Sequence, residues 1–377
     1  MAPSKSKETK KEAMVKTNRR KGTKAQGKNA KGPPSVTAHE GQKPEEVVDQ
    51  MVKTSKNRTP MYEMLKVAAA HTAEGFLKNI ENNPRMPVPI NERRRVRVEK
   101  DEEYLPAQYC KMENSEYMIM QAPTKAINRL FWKQIQTDNC RIIVALCHDD
   151  QMSATDDAKC FQYFPTEPNQ SMEVEQKKGK LTILCKSKEG MSMGGVKYEM
   201  EMTDSEAVVD LNSDDPNAGN MPKGQLFTLF HLNTWTGTRP ESGNPLEQAA
   251  NIALFFRAVN GAEVNVLRRS MENFVPPVVI QSFDGIGRAA IAWVILMLLK
   301  DVEKRECFDV PDLIKKLMKM RTGSISCYYH YALTMAIALN IGKDMKWCEN
   351  DCNNALNDLN AKFPDRKLNE VGNLLPP

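Results

Sequence analysis

The strongest chemical pattern in the sequence is an apolar stretch followed by a glycine-containing loop and an arginine. It spans Pro277–Arg288 and reads P-V-V-I-Q-S-F-D-G-I-G-R. When a strand enters a helix through such a loop, backbone N–H groups point inward and the helix N-terminus adds positive potential. The guanidinium of Arg288 can hold two oxygens of an anion there. The pattern predicts an anion-binding loop, although glycines also occur in strand–helix turns simply because they pack tightly.

Apolar periodicity predicts the elements that position this loop. Seven short strands are predicted, at Arg95–Val98, Tyr117–Met120, Arg141–Cys147, Leu181–Cys185, Val196–Met202, Leu226–Leu232 and Pro277–Gln281. Six helices are predicted, at Thr59–Glu81, Pro245–Val259, Arg288–Val302, Pro311–Met320, Cys327–Ile341 and Lys346–Leu359. These elements indicate an α/β (α+β) fold in which a central, highly twisted mixed β-sheet is flanked by α-helices.

Charge is distributed unevenly along the chain. The 377 residues carry a net charge of +5, yet residues 1–43 alone hold twelve Lys or Arg and three Glu. Because this Lys-rich segment has almost no large apolar side chains, we expect it to be a disordered tail. Residues 44–360 are expected to form the domain and 361–377 a C-terminal tail. The basic tail is either a solvated segment or an electrostatic arm for nucleic acid, an anionic membrane or an acidic partner.

Cysteine usage and hydropathy indicate an intracellular, soluble protein. The nine cysteines follow no regular spacing, which favours free thiols in a reducing compartment. The N-terminus lacks the apolar stretch of a secretory signal, and the run from Ala289 to Leu299 is shorter than the ~20 residues that span a membrane. We expect a cytoplasmic protein, with nuclear targeting through the basic tail as an alternative. No residue pattern calls for a cofactor or a metal ion.

Several segments resemble, in the same order, the landmarks of the tyrosine-specific protein phosphatase family. The loop Val278–Arg288 is similar to the family's phosphate loop, V-V-V-H-C-S-A-G-I-G-R. The other similar segments are Glu103–Tyr109, Tyr117–Pro123, Phe131–Trp132, Arg141–Leu146, Lys159–Pro165, His231–Trp235 and Pro240–Ser242. The resemblance covers about residues 60–345 and implies the family's fold, and the divergence is similar to that of phosphatase-like proteins of nematodes. The implied phosphate loop consists of Ser282, Phe283, Asp284, Gly285, Ile286, Gly287 and Arg288.

The resemblance also implies that the nucleophile is missing. Enzymes of the family attack phosphotyrosine with a cysteine thiolate, and the matching position is Ser282. A serine hydroxyl is almost entirely un-ionised and needs a neighbouring base. The preceding histidine of the family is replaced by Gln281, and the hydroxyl residue after the arginine is replaced by Ala289. The chain is therefore predicted to be a pseudophosphatase.

The general acid and the water-positioning groups are also absent by this comparison. The family's W-P-D loop corresponds to Trp235–Pro240, in which Gly237 has no proton to give. Glu241 matches the glutamate of the following P-E-S segment. The late pair of glutamines corresponds to Thr322 and Ser326. General acid–base assistance typically contributes about 10²–10⁴ in rate, so little activity is expected.

The remaining phosphate loop leaves two interpretations open. A carboxylate at Asp284 would either repel a phosphate dianion or occupy the loop amides from within, and Phe283 is bulky for a crowded turn. The family's recognition loop becomes Met86 and Val88 where an aromatic clamp and an aspartate are expected. Arg288 either binds phosphate or serves structure by pairing with Asp284 or with loop carbonyls.

Two histidine positions have simpler interpretations. His231 is expected to order the loop before Trp235, as its counterpart does in the resembled family. His148 stands beside Asp149 and Asp150. These three residues are expected in an exposed turn after a strand, rather than at a metal ion.

Three functions follow from these patterns. The first is a cytoplasmic, catalytically inactive phosphatase-like domain that binds a protein partner, tyrosine-phosphorylated or not, in phosphotyrosine signalling. The second is a weakly active tyrosine phosphatase that uses Ser282 or an unrelated nucleophile. The third is a scaffold that residues 1–43 tether to nucleic acid or to an anionic membrane.

Overall fold

The computed structural model describes the greater part of the chain after residue 77. The described residues are 78–82, 85, 90–98, 103–112, 115–156, 159–206, 224–235, 244–269, 275–304, 309–325, 328–346 and 349–361. All of them belong to one compact unit, Ala38–Pro377. The predicted tail 1–43, the predicted tail 361–377 apart from its first residue, and most of the predicted helix Thr59–Glu81 lie outside the described residues. So do Met86, Val88, Gly237, Glu241 and Ser326.

The described strands form a nine-stranded mixed sheet and a small two-stranded sheet. They are β1 Arg95–Val98, β2 Glu103–Met112, β3 Ser115–Gln121, β4 Ile142–Leu146, β5 Met152–Ser153, β6 Cys160–Phe161, β7 Ser171–Glu175, β8 Lys180–Gly190, β9 Val196–Asp204, β10 Gln225–His231 and β11 Val278–Ser282. The large sheet has the order β1-β2-β3-β11-β4-β10-β9-β8-β7, and β5 pairs with β6. The predicted mixed sheet is confirmed.

Six α-helices lie in the described part of the chain. They are α1 Asn128–Thr137, α2 Pro245–Arg269, α3 Arg288–Glu303, α4 Val310–Met320, α5 Tyr328–Asp344 and α6 Glu349–Ala361. The last five confirm predicted helices, although α2 continues ten residues beyond the predicted end at Val259. Among the described helices, none combines the length and apolar character needed to cross a membrane.

The strand β2 was missed because its sequence contains Pro106, which cannot donate to a neighbouring strand. The structure accommodates this proline where the strand pairing is interrupted. The register between β1 and β2 shifts between Arg95 and Arg97, and the register between β2 and β3 begins only at Ala107. A local interruption of pairing thus allows a ten-residue strand.

Helices cover both faces of the sheet. In β11, Val278 and Ile280 pack into a core cluster with residues of α2 to α6, whereas Val279 packs on the other face with residues of α1. The strand is buried on both faces, as expected for the centre of a sheet. Since β3, β11, β4 and β10 are mutually parallel, their carboxyl ends meet at one edge. The segments that follow these strands are therefore brought together.

Candidate functional site

The loop that follows β11 requires its two glycines. Gly285 has φ +71°, and a Cβ there would lie 2.5 Å from the backbone nitrogen of Gln121. Gly287 has φ +53°, and a Cβ there would lie 2.6 Å from Cε1 of His330. L-residues rarely adopt such backbone angles. The Gly287 amide also donates to the carbonyl of Ser324 at 2.9 Å. The loop is thus held between the end of β3 and the start of α5.

A carboxylate of the loop itself lies inside the loop. Oδ1 of Asp284 accepts a hydrogen bond from the backbone N–H of Ile286 at 3.1 Å. The hydroxyl of Ser282, which is 0% exposed, lies 3.2 Å from the same oxygen and 3.1 Å from the carbonyl of Ile286. Asp284 was expected either to repel a phosphate dianion or to occupy the loop amides from within. The structure shows the second arrangement, because the carboxylate accepts from a loop amide.

The guanidinium of Arg288 is held by two groups of the protein. Nη1 donates to the backbone carbonyl of Trp235 at 2.7 Å, and Nη2 donates to Oε1 of Gln151 at 2.8 Å. The same Gln151 oxygen accepts from the His148 backbone N–H at 3.1 Å, which fixes its position. The expected pairing of Arg288 with Asp284 is wrong, because the arginine, 5% exposed, turns toward the end of β10. The carbonyl that it contacts belongs to Trp235 and not to the loop of Ser282 to Gly287, where the bond was expected.

A second arginine, not predicted from the sequence, supports the loop from inside the protein. Arg321 is 1% exposed, and its Nη2 donates to the carbonyl of Gly285 at 2.9 Å. Burial lowers the pKa of Arg321, while the neighbouring Cys110 and Asp284 act in the opposite direction. A positive charge therefore stands behind the loop that contains the Asp284 carboxylate. No motif marks Arg321 in the sequence, where it directly follows α4.

Gln281, which replaces the histidine of the resembled family, is fully buried. Its side-chain amide donates to the hydroxyl of Tyr163, and Tyr163 packs edge-on against Phe131 of α1 at 5.2 Å between ring centroids. The glutamine therefore points into the core between the sheet and α1. It is a packing residue in this arrangement, and it brings no titrating group to Ser282.

Two buried cysteines meet beside the loop, and this contact was also missed. Sγ of Cys147, directly after β4, lies 3.4 Å from Sγ of Cys160, the first residue of β6. They form a small buried cluster against which the Phe283 ring packs. The guanidinium of Arg85 lies 4.9 Å from the centroid of that ring. All six described cysteines have free thiols.

The remaining predicted residues lie as follows. Ala289 is buried at the start of α3, and Thr322 lies in the turn between α4 and α5. Nε2 of His231 lies 2.7 Å from the carbonyl of Cys147, so this side chain joins the ends of β10 and β4, and its predicted role in ordering the residues before Trp235 stays a prediction. The predicted roles of Gly237, Glu241 and Ser326 stay predictions.

The exposed turn after β4 was predicted correctly. Residues Asp149–Gln151 form a short 3₁₀ helix whose first N–H groups are capped by His148. Nδ1 of His148 accepts from the Asp150 backbone N–H at 3.2 Å, and Asn233 donates to the Asp149 carboxylate at 2.7 Å. Among the described residues, no group of three or more His, Cys, Asp or Glu side chains is placed to hold a metal ion. The turn instead fixes Gln151 against Arg288.

Comparison of the whole sequence with known proteins finds similarity to the same family that the loop sequence resembles. The sequence profile of a family described as "Protein-tyrosine phosphatase" matches residues 79–340. The chain is 20% identical over 269 residues to tyrosine-protein phosphatase non-receptor type 20 of Mus musculus, covering 70% of this chain and 54% of that protein. It is 24% identical over 260 residues to tyrosine-protein phosphatase non-receptor type 2 of Rattus norvegicus, covering 68% and 54%. The chain thus spans about half the length of the curated relatives it matches.

Proposed function

Since the chain belongs to the protein-tyrosine phosphatase family, we propose that it is a catalytically inactive member that binds a protein partner instead of cleaving a phosphate ester. The proposed setting is tyrosine-phosphorylation signalling in the cytoplasm. Family membership does not by itself fix the activity of a chain. The proposal therefore rests on the chemistry of the loop after β11 and not on the names of the relatives.

The observation that carries the proposal is that the protein already occupies the groups that would grip phosphate. Asp284 accepts from the Ile286 amide, and both terminal nitrogens of Arg288 donate to Trp235 and Gln151. A phosphate dianion would have to displace a carboxylate of the same sign of charge. It would also have to take Arg288 from two short hydrogen bonds. Tight phosphate binding is not expected from such a loop.

The chemistry of the side chains supports inactivity for a second reason. Ser282 supplies a hydroxyl where the family uses a thiolate, and a hydroxyl is a weak nucleophile unless a base removes its proton. Gly237, by its sequence position, supplies no acid to the leaving phenol oxygen. Loss of the general acid alone removes about 10²–10⁴ in rate. The combined losses favour a binding role over slow turnover.

One observation favours the alternative of a weak phosphatase. The Asp284 carboxylate lies 3.2 Å from the Ser282 hydroxyl, within reach for a general base. Three features weaken this alternative. Ser282 is fully buried, the same carboxylate oxygen is held by the Ile286 amide, and the positive charge of Arg321 acts on Asp284 from behind the loop.

Hydrolysis of phosphotyrosine peptides by the purified full chain tests the proposal. We expect no release of phosphate above buffer from the wild type, Arg288→Ala, Ser282→Ala or Asp284→Ala. Arg257→Ala is the matched control, because Arg257 is a half-exposed arginine on α2 whose partner is Asp344 at 3.2 Å.

Turnover by the wild type that disappears in Arg288→Ala and persists in Arg257→Ala would end the proposal. If that turnover also disappears in both Ser282→Ala and Asp284→Ala, the serine-based phosphatase is the correct function. If it survives both changes, an unrelated nucleophile carries the reaction.

A further inference from the structure

We propose that Cys147 and Cys160 are an oxidation site, and that a hydroperoxide converts them to a reversible disulfide beside the loop of Ser282 to Gly287. The inference concerns thiol chemistry alone. It stands whether or not the loop binds or cleaves a phosphate ester.

The geometry brings the two sulfurs almost to bonding distance. Their separation of 3.4 Å must fall to the ~2.05 Å of a disulfide bond, a movement that side-chain rotation and small backbone shifts can supply. Cys147 directly follows β4, while Cys160 begins β6 and pairs with Met152 of β5. The two residues are 13 positions apart, so the bond would close a short loop. Chain closure over such a short distance is readily compatible with a disulfide.

Their shared hydrogen bond distinguishes the two thiols, whereas the guanidinium groups of Arg85 and Arg288 lower the pKa of both. The hydrogen bond from Cys147 lowers the pKa of Cys160, and the guanidinium groups of Arg85 and Arg288 lower it further against the effect of burial. The same hydrogen bond raises the pKa of Cys147, and burial raises it further. Cys160 is therefore the attacking thiolate and Cys147 the resolving thiol, since the thiolate is the reactive form.

The pKa values of three other buried thiols are raised, in contrast to that of Cys160. Burial raises the pKa of Cys110 to about 11 and raises that of Cys140 well above its usual value. Burial also raises the pKa of Cys185. These three cysteines are the natural comparison for the reactivity of Cys160 within the same chain.

The reaction balances with hydrogen peroxide as oxidant. The Cys160 thiolate attacks one peroxide oxygen, the O–O bond breaks, and the departing hydroxide takes up a proton to become water. The sulfenic acid formed on Cys160 is then attacked by the sulfur of Cys147. The S–S bond forms as the S–O bond breaks, and the hydroxyl group leaves with the Cys147 proton as a second water. The two sulfurs lose two electrons together, and the peroxide is reduced to two waters.

Oxidation would alter the surroundings of the loop. The Phe283 ring packs on the cysteine pair, and Arg85 covers that ring and donates to the carbonyl of Ala122. Disulfide formation draws the sulfurs together beneath the ring. It also removes the thiolate charge that faces Arg85 and Arg288. The site thus connects the redox state of two cysteines to one side of the loop.

Mass spectrometry of the full chain tests the proposal. The reduced protein is treated with hydrogen peroxide for increasing times, free thiols are alkylated, and trypsin is added. Cleavage after Arg141 and Lys159 places the two cysteines on separate peptides. We expect a peptide pair linked through Cys147 and Cys160 that dithiothreitol separates. We expect it to form at least about tenfold faster than Cys140 or Cys185 loses its free thiol, because those thiols are less ionised.

Two variants assign the roles. In Cys147→Ser, the sulfenic acid on Cys160 should persist and react with dimedone, and the linked pair should be absent. In Cys140→Ser, which changes a buried cysteine elsewhere, the linked pair should form as in the wild type. The linked peptide pair is measured in the wild-type protein, so this test does not depend on whether a variant folds. Absence of the linked pair from the wild type, or oxidation of all cysteines at similar rates, would overturn the proposal.

Discussion

The carboxylate of Asp284 and the backbone N–H of Ile286 form a hydrogen bond of 3.1 Å across the turn of the loop. In a loop that binds an oxyanion, N–H groups of this kind point at the ligand. Here one of them points at a side chain two residues earlier in the chain. The relationship turns a loop with the shape of an anion site into one that holds its own anion.

Removing that carboxylate should open the loop to an external anion. We expect Asp284→Ala to bind a phosphotyrosine peptide at least about tenfold more tightly than the wild type, since like charges no longer face each other and an N–H becomes available. Isothermal titration calorimetry measures the change. Asp344→Ala, which removes an aspartate paired with Arg257, should leave the affinity unchanged. Tight binding by the wild type would contradict the internal-anion interpretation.

Restoring the thiol alone should not restore catalysis. We expect Ser282→Cys to release no measurable phosphate from p-nitrophenyl phosphate, because the Asp284 carboxylate still fills the loop and Gly237 still supplies no acid. Even with a bound substrate, the missing acid costs about 10²–10⁴ in rate. Phosphate release by Ser282→Cys at a rate well above that of Ser282→Ala would show that the loop accepts substrate as it stands.

Gly285 should be intolerant of a side chain. Gly285→Ala places a methyl group 2.5 Å from the backbone nitrogen of Gln121 at φ +71°, and neither the backbone nor the angle can yield cheaply. We expect a loss of about 2–4 kcal/mol in the free energy of unfolding. Gly261→Ala is the control, because a Cβ there has no atom within 4 Å and helix α2 should gain about 0.5–1 kcal/mol. Urea unfolding measures both.

His231 should make stability depend on pH. Burial lowers the pKa of His231, and the nearby His148 acts in the same direction, while the bond to the Cys147 carbonyl and the charge of Asp149 oppose them. The unfolded state therefore takes up a proton first as the pH falls below about 6.5. Stability conferred by neutral His231 is present above that pH and is lost progressively as the pH falls toward the folded-state pKa.

Urea unfolding across this pH range provides the measurement. The free energy of unfolding should fall more steeply in the wild type than in His231→Gln, whose side-chain amide can still donate to the Cys147 carbonyl. His148→Gln removes the smallest of the four contributions to the pKa of His231 and should therefore keep most of the wild-type slope. Equal slopes in the wild type and in His231→Gln would show that His231 does not titrate as inferred.

Local pattern predicted much of the fold. The strand Arg95–Val98 was predicted correctly from its alternating apolar residues, and the helix beginning at Arg288 from its long apolar run. Helix α1 was not predicted, although Leu130, Phe131 and Ile135 have helical spacing and are buried, and it entered only through the family resemblance of Phe131–Trp132. Strand β2 was not recognised because Pro106 lacks a backbone N–H to pair with a neighbouring strand. A register shift in the pairing with β1 accommodates this missing donor. Tertiary pairing, which the local pattern does not show, decided strand β2.

In the candidate site, too, local sequence predicted some residues and distant contacts determined others. The loop from Ser282 to Arg288 was recognised because its residues are contiguous. Arg321 reaches Gly285 from 36 positions away, and Gln151 reaches Arg288 from 137 positions away. Neither contact leaves a mark in the linear sequence. Such partners are set by which strand ends and helix ends the topology places side by side.

Arg321 has one further consequence for the resting protein. A loop that waits for a ligand must leave its amides to water until the ligand arrives, and its shape then depends on what fills it. In this loop, Arg321 contacts the backbone from the protein interior and the Asp284 carboxylate accepts from a loop amide. The loop is therefore held in shape without an external ligand. Its conformation should be the same in phosphate buffer and in phosphate-free buffer, and dissolved salt has little access to the charge at its back.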